Sequence, residues 1–345
     1  MCNIAGYVGS KAAAPILIEM MQQQEGYNGG FYTGIATIHE GKLFHAKRTG
    51  NTQYLIEHTN AAALPGTIGI MHSRTNDGGG DVWAHPFIGY HGEEPVLAYL
   101  GNGAMGHFMP RKTEYLPLVE ELLDEGYSMA RIAHTENKPY LELSDGSHVH
   151  MSDAMCQLIL RYMDRGSETA DALEAAFCRM PAEVVALTLN AKQPSCVTWA
   201  RINMPMYLGF AEHGAYLAST PAAFPADVIT EPMLLPPCAS GYVYSDHFSA
   251  KPMRQPPARM APMDPRIRQQ SYAAVCQRLG QESVMYPDLV KMVREMFSGW
   301  DLNPANALVY EAMYDLLKQG RLKVESRQVP AARDDLYAYK HFFHL

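Results

Sequence analysis

The chain has 345 residues, 47% of them hydrophobic, and a formal net charge of -8. That is ordinary for a globular protein of two domains, or of one large and one small. It excludes a membrane-spanning helix, since no uninterrupted apolar run approaches the ~20 residues a span needs. The acidity argues against general nucleic-acid binding, and the first residues have no basic stretch running into an apolar one, so no secretory leader is expected. The cysteines (2, 156, 178, 196, 238 and 276) lack CxxC spacing, which fits reduced thiols in a cytoplasm better than a disulfide framework or a zinc site. Neither a metal nor a cofactor is expected. The charge is uneven: residues 246–345 carry 14 Lys+Arg against 11 Asp+Glu, a net +3, which leaves -11 on residues 1–245.

Met1 precedes Cys2, a residue small enough for Met removal. Removal would put a thiol and a free α-amine, of ordinary pKa near ~8, on one residue, so that a nucleophile carries its own base. The apolar run Ile4 to Val8 reads as a buried strand with Cys2 at its tip. Pro15 to Gln24 reads as a helix. Gly34 to Ile38, Lys42 to Ala46, Thr67 to His72 and Val96 to Leu100 read as strands. Gly78-Gly79-Gly80 is a loop with little bulk, suited to a backbone passing close to a ligand. Leu116, Val119, Leu122 and Leu123 have helical spacing, and residues 128–151 read as a hairpin-like insertion. A helix capped by Ser152 carries Met155, Leu158, Ile159 and Tyr162 on one face, and Thr169 to Cys178 is another. Strands return at Val184 to Leu189, Cys196 to Ile202, Met206 to Phe210 and Tyr216 to Ser219.

Residues 246–268 are rich in proline and read as a linker or wrapping arm. Helices follow at Gln269 to Leu279, Pro287 to Phe297 and Pro304 to Gln319, then a strand at Arg321 to Gln328. This last part, 269–345, reads as a small, mainly helical domain. Two readings of it stay open: a winged-helix-like module, or a helical cap on the first domain.

Taken in order, these segments resemble the class II glutamine amidotransferases, whose glutaminase domains are N-terminal-nucleophile (Ntn) hydrolases. MCNIAGYVG is similar to that family's MCGIVGYIG, NGGFYTGIA to RGYDSAGIA, GIMHSR to GIGHTR and WAHP to NAHP. LAYLGNGAMGHF is similar to VVHNGIIENH, and ARINMPMYLGF and YLAST to the closing strands. The nearest likeness is to the glutaminase half of glucosamine-fructose-6-phosphate aminotransferases. The resemblance covers roughly Cys2 to Tyr244, making 1–245 the expected amidotransferase domain. It implies an α+β fold, a four-layer αββα sandwich.

The resemblance also implies roles. Cys2 would attack the side-chain amide of glutamine and form a thioester. Asn102 and the backbone N–H of Gly103 would hold the oxyanion, although an Asn-Gly pair at a strand end is also an ordinary hairpin turn. Arg74 would grip the α-carboxylate. Asp153, near a helix start, would take the α-ammonium, or else simply favour the helix dipole. His72 and His85 are either neighbours of the site or buried, satisfied histidines. The family's RGYD Arg and Asp are replaced by Asn28 and Phe31, and the Trp-Ala-Thr-His after its Arg by Thr75-Asn76-Asp77-Gly78.

No acceptor domain is recognisable, so the expectation is a free-standing cytoplasmic glutaminase. Ammonia would be released or passed to a separate synthase subunit, and self-association into a homo-oligomer stays open. Two alternatives remain: an amidohydrolase of the same fold acting on another γ-glutamyl or small amide, and a non-catalytic assembly or regulatory subunit.

Overall fold

The computed structural model describes residues 2–103, 108–133, 140–181, 183–225, 228, 231–254, 261, 263–300 and 302–345. Met1, Ala104 to His107 of the Asn-Gly segment, and 255–260 and 262 of the proline-rich stretch lie outside them.

β1 (Asn3–Gly9) leads into α1 (Ala13–Gln24), the hairpin β2 (Tyr32–His39) and β3 (Lys42–Thr49), α2 (Thr52–His58) and β4 (Ile68–Arg74). A second hairpin, β5 (Phe87–His91) and β6 (Glu94–Gly103), precedes α3 (Lys112–Asp124). The expected hairpin-like insertion is a small three-stranded sheet of β7 (Arg131–Ile132), β8 (Leu141–Glu142) and β9 (His148–Val149). Then come α4 (Met151–Asp164), α5 (Thr169–Arg179), β10 (Glu183–Asn190), β11 (Val197–Arg201), β12 (Tyr207–Ala211) and β13 (Gly214–Ala218). Short strands β14 (Met233–Leu234), β15 (Ala239–Val243) and β16 (Lys251–Pro252) finish the sheets. The C-terminal part is α6 (Pro265–Gln281), β17 (Val284–Met285), α7 (Tyr286–Arg294), α8 (Ala305–Lys318), β18 (Lys323–Pro330) and β19 (Tyr337–His344).

One sheet has the order β14-β12-β13-β1-β4-β2-β3, the other β16-β15-β11-β10-β6-β5. Every pairing within them is antiparallel. Strand alternation builds the layers. On β1, Ile4 and Val8 face the other sheet and pack with Leu100, Leu187, Trp199 and Leu217. Ala5 and Tyr7 face outward and pack with Leu17, Met20 and Met21 of α1. On the far side, Tyr99 and Ala186 meet Met155, Leu158 and Ile159 of α4 and Leu173 of α5. The α+β sandwich αββα expected from the resemblance is the observed fold.

Local chemistry moved some boundaries. The helix expected to begin with Ser152 as its cap begins two residues earlier. His150 is the N-cap, and its Nδ1 accepts from the Ser152 N–H at 3.1 Å. A neutral imidazole nitrogen serves there as a Ser oxygen would. The sequence reading missed α2, which is too short for a hydrophobic period to show, although Asn51 caps it through Oδ1. It also missed β19, the middle strand of a β17-β19-β18 sheet.

That C-terminal sheet is tied to the loop after α1. The His341 N–H donates to the Gly26 carbonyl at 2.8 Å, and Asn51 Nδ2 to the Tyr337 carbonyl at 3.2 Å. The Tyr27 ring lies 4.8 Å from Phe343, 5.9 Å from Tyr310 and 6.3 Å from Tyr286. Tyr27→Ala empties this cluster and should cost about 3–5 kcal/mol of folding stability, as for large aromatic truncations. Urea unfolding measures it; a loss under about 1 kcal/mol would show that the cluster does not anchor the C-terminal sheet.

Candidate functional site

Cys2 precedes β1, the strand between β4 and β13, so both neighbours position it. Across the ladder Asn3 faces Ser73 and Ile4 faces His72, which brings the end of β4 beside the thiol. Asn3 pins the other side: its Nδ2 donates to the carbonyls of Gln24 and Asn28, at 2.8 and 2.7 Å. A cavity of about 220 Å³ opens here, lined by Cys2, Arg74, Thr75, Asp77, His85, Gly101, Asn102, Gly103, Tyr140, His150, Met151 and Ser152. That is below the ~300–1,000 Å³ of drug-sized pockets and suits a ligand the size of an amino acid.

Asn102 comes from the opposite sheet, at the end of β6. Its Nδ2 donates to the Cys2 carbonyl at 3.0 Å, and its Oδ1 lies 3.3 Å from His72 Nε2. Burial is the main cause that lowers the His72 pKa to about 3, so the ring is neutral at physiological pH. A neutral ring with its hydrogen on Nε2 donates to Oδ1 and turns the Asn102 amide nitrogen toward Cys2, whose carbonyl takes one of its hydrogens. His85 lies with its ring 4.1 Å from that of His72. It is 2% exposed, neither ring nitrogen has a hydrogen-bond partner among the described residues, and burial drives its pKa well down. The loop that carries it crosses β2 at Gly34, where a Cβ would sit 2.1 Å from the His85 carbonyl. Both histidines are therefore buried; His72 orients Asn102 and His85 lines the cavity.

Arg74 ends β4 and is 2% exposed. Its Nη1 donates to the Trp83 carbonyl and its Nη2 to the Gly78 carbonyl, while its guanidinium stacks 4.4 Å from the centre of the Tyr32 ring. The glycine loop thus wraps the guanidinium: Gly78, Gly79 and Gly80 all have positive φ, and the Gly78 carbonyl turns inward. No carboxylate lies within ion-pair distance of Arg74 among the described residues. Beside it Thr75 Oγ1 donates to Asp77 Oδ2 at 2.7 Å and lies 3.8 Å from Cys2 Sγ. Since Thr75 spends its hydrogen on Asp77, the thiol is the donor in the second contact.

Of the five residues singled out from sequence, Cys2, Arg74, Asn102 and Gly103 meet in the cavity and Asp153 does not. Asp153 is the third residue of α4 and points inward. Its Oδ2 accepts from the Ala130 N–H at 2.7 Å and its Oδ1 from Gln157 Nε2 at 3.1 Å. Burial raises its pKa to about 6 against those hydrogen bonds and the Lys47 charge. The first helical residue, Met151, faces the cavity instead. Sequence reading assigned no role to Thr75, Tyr140, His150 or Met151, and gave Asp77 as a departure that puts a second carboxylate near the expected carboxylate site. The departures after Arg74 were the signal for Thr75 and Asp77; nothing in the sequence marks Tyr140. Among the described residues no group of three or more His, Cys, Asp or Glu could hold a metal ion, and no helix is long and apolar enough to cross a membrane.

No protein-family model matches the chain. It is 28% identical over 257 residues to the glutamine–fructose-6-phosphate aminotransferase (isomerizing) of Pyrococcus horikoshii, covering 73% of this chain and 38% of that protein. It is 32% identical over 228 residues to the enzyme of that name from Leifsonia xyli subsp. xyli, covering 65% and 32%. The chain therefore spans about a third of the length of the curated relatives it matches. Among solved structures it is similar to glutamine phosphoribosylpyrophosphate amidotransferase from B. subtilis, with a TM-score of 0.58 and 14% identity over 82% of this chain and 59% of that one. At that identity the likeness shows the fold.

Asp153→Asn tests the inward placement. The carboxyl is easier to protonate in the fold than in the unfolded chain, so its charge costs stability above pH ~4, and fully so above about 6. Asn keeps only one of the two acceptors, a loss that does not vary with pH, so the stability of the variant relative to wild type should fall as the pH drops from 7.5 to 4. Thermal melts at the two pH values measure this; a relative stability that rises toward pH 4 would show that the fold favours the ionised form.

Proposed function

We propose that this chain, which carries a class II glutamine amidotransferase-like domain, hydrolyses a side-chain amide, glutamine's in the first instance, with Cys2 as nucleophile. The observation that supports it most directly is that Cys2 just before β1, Arg74 at the end of β4 and Asn102 near the end of β6 in the other sheet line one amino-acid-sized cavity. In this reading residues 1–245 are the amidotransferase unit and 246–345 braces it.

With Met1 removed, the α-amine of Cys2 takes the thiol proton as sulfur adds to the amide carbon. The carbonyl oxygen becomes an oxyanion. One Asn102 Nδ2 hydrogen is occupied by the Cys2 carbonyl, and the other, with the Gly103 N–H, serves the oxyanion. Collapse expels ammonia, which takes its proton from the α-ammonium, and water then cleaves the thioester to a carboxylate and a free thiol. Arg74 would receive the substrate's carboxylate: a cation so buried, with no carboxylate in ion-pair distance among the described residues, is costly until an anion arrives. The ammonia is released or handed to a separate synthase.

A second reading, an amide other than glutamine on the same machinery, draws on Met151 facing the cavity where the family resemblance placed an Asp.

Intact mass after exposure to a glutamine-like diazo-ketone should show Met1 absent and one adduct on Cys2; an unlabelled Cys2 would refute the nucleophile. Asn102→Ala should lower turnover by about 10²–10³-fold with little change in substrate binding, because the charge it stabilises arises mainly in the transition state. Steady-state ammonia release separates the two; weaker binding at unchanged turnover would remove Asn102 from the oxyanion site.

A further inference from the structure

We infer that Asp77, on the loop after Arg74, is the anion that reads the ammonium group of the substrate, and that the cavity selects zwitterionic γ-amides: glutamine and γ-glutamyl amides with free α-groups. The inference rests on the reading that Cys2 attacks an amide. It adds the second pole, which the placement of Asp153 leaves vacant.

Asp77 is the only carboxylate among the described residues that line the cavity. Its Oδ2 is 2.7 Å from Thr75 Oγ1, itself 3.8 Å from Cys2 Sγ, so that oxygen lies within about 6.5 Å of the sulfur. In glutamine four bonds separate the amide carbon from the α-nitrogen, a span of about 5 Å at ordinary bond lengths near ~1.5 Å. A substrate attacked at its amide carbon can therefore bring its ammonium to this carboxylate. The positive pole is adjacent. Arg74 Nη2 donates to the carbonyl of Gly78, the residue after Asp77, so the guanidinium and the carboxylate line one cavity from a single short segment. The α-carboxylate and α-ammonium of an amino acid are similarly close, both on one carbon. At the start of α4 the cavity meets Met151 and Ser152, neither of which carries a charge.

The competing account is that Asp77 acts through Thr75 on the thiol. It makes a different forecast, because a group that tunes the nucleophile affects every amide alike. The test measures ammonia release from L-glutamine and from its des-amino analogue, 4-carbamoylbutanoate, by wild type, Asp77→Asn and Asp153→Asn, with melting temperatures as a folding check. Asp77→Asn should lower kcat/KM for glutamine by about 30- to 1,000-fold, mainly through KM, since it strands the substrate's charge. Its loss on the des-amino amide should be at least ten-fold smaller, and Asp153→Asn should track wild type on both. Equal losses of Asp77→Asn on the two amides, or a glutamine-selective loss in Asp153→Asn, would overturn the assignment while leaving amide hydrolysis standing. No ammonia from either amide, together with an unlabelled Cys2 after the diazo-ketone, would refute the underlying reading and this inference with it.

Discussion

The site depends on one constraint: the residue before β1 must be held where two sheets end together. β1 is an interior strand, bonded to β4 and β13, and the Asn3 side chain ties its first residue to the α1 loop. The opposite sheet closes the arrangement through a single side chain, Asn102, which bonds the Cys2 carbonyl. Burial keeps His72 neutral, and a neutral His72 can orient that Asn without adding charge beside Arg74. The sandwich core, from Ile4 to Leu187 and Trp199, thus also sets the spacing of the proposed chemistry.

Charge is handled in the loop that follows β4. Arg74 is buried and saturated on one side by backbone carbonyls and Tyr32, which fixes its plane without neutralising it. Lys47 Nζ donates to the carbonyls of Val82 and Ala84, each at 3.0 Å, and so steadies the stretch that carries His85. A half-buried carboxylate, Glu25, accepts from Ser73 Oγ at 2.7 Å and from the N–H and hydroxyl of Thr52. The residue beside Arg74 is thereby joined to the loop that packs on the C-terminal sheet. The C-terminal sheet also reaches a neighbour of the site: Phe31 and Tyr32 pack with Ala338, and the Tyr32 ring lies under the Arg74 guanidinium.

Much of this was legible in the sequence. Alternating apolar runs marked β1, β2, β4, β6 and β10, because side chains alternate between faces along a strand whatever surrounds it. The ordered motifs located Cys2, Arg74, Asn102 and Gly103 at strand ends. First-turn prolines and helical spacing pointed to three helices after the proline-rich stretch, where α6, beginning earlier at Pro265, and α7 and α8 are found. The hairpin strand β19 did not show, because its apolar content serves a sheet whose partners are remote in sequence.

What sequence by itself determined is therefore the local and the ordered: strand periods, the strand that follows Cys2, and the chain order of the residues that would meet. Which carboxylate faces the cavity was decided by tertiary structure. An α-helix turns about 100° per residue, so starting α4 at Met151 with His150 as its cap rotates Asp153 roughly 200° from the first helical position and into the core. Asp77 reaches the cavity only because the loop folds back on Arg74 through the Gly78 carbonyl. Neither the phase of a helix nor the path of a glycine loop is a property of residue type alone. Both are set by the hydrogen bonds available once the two sheets have packed.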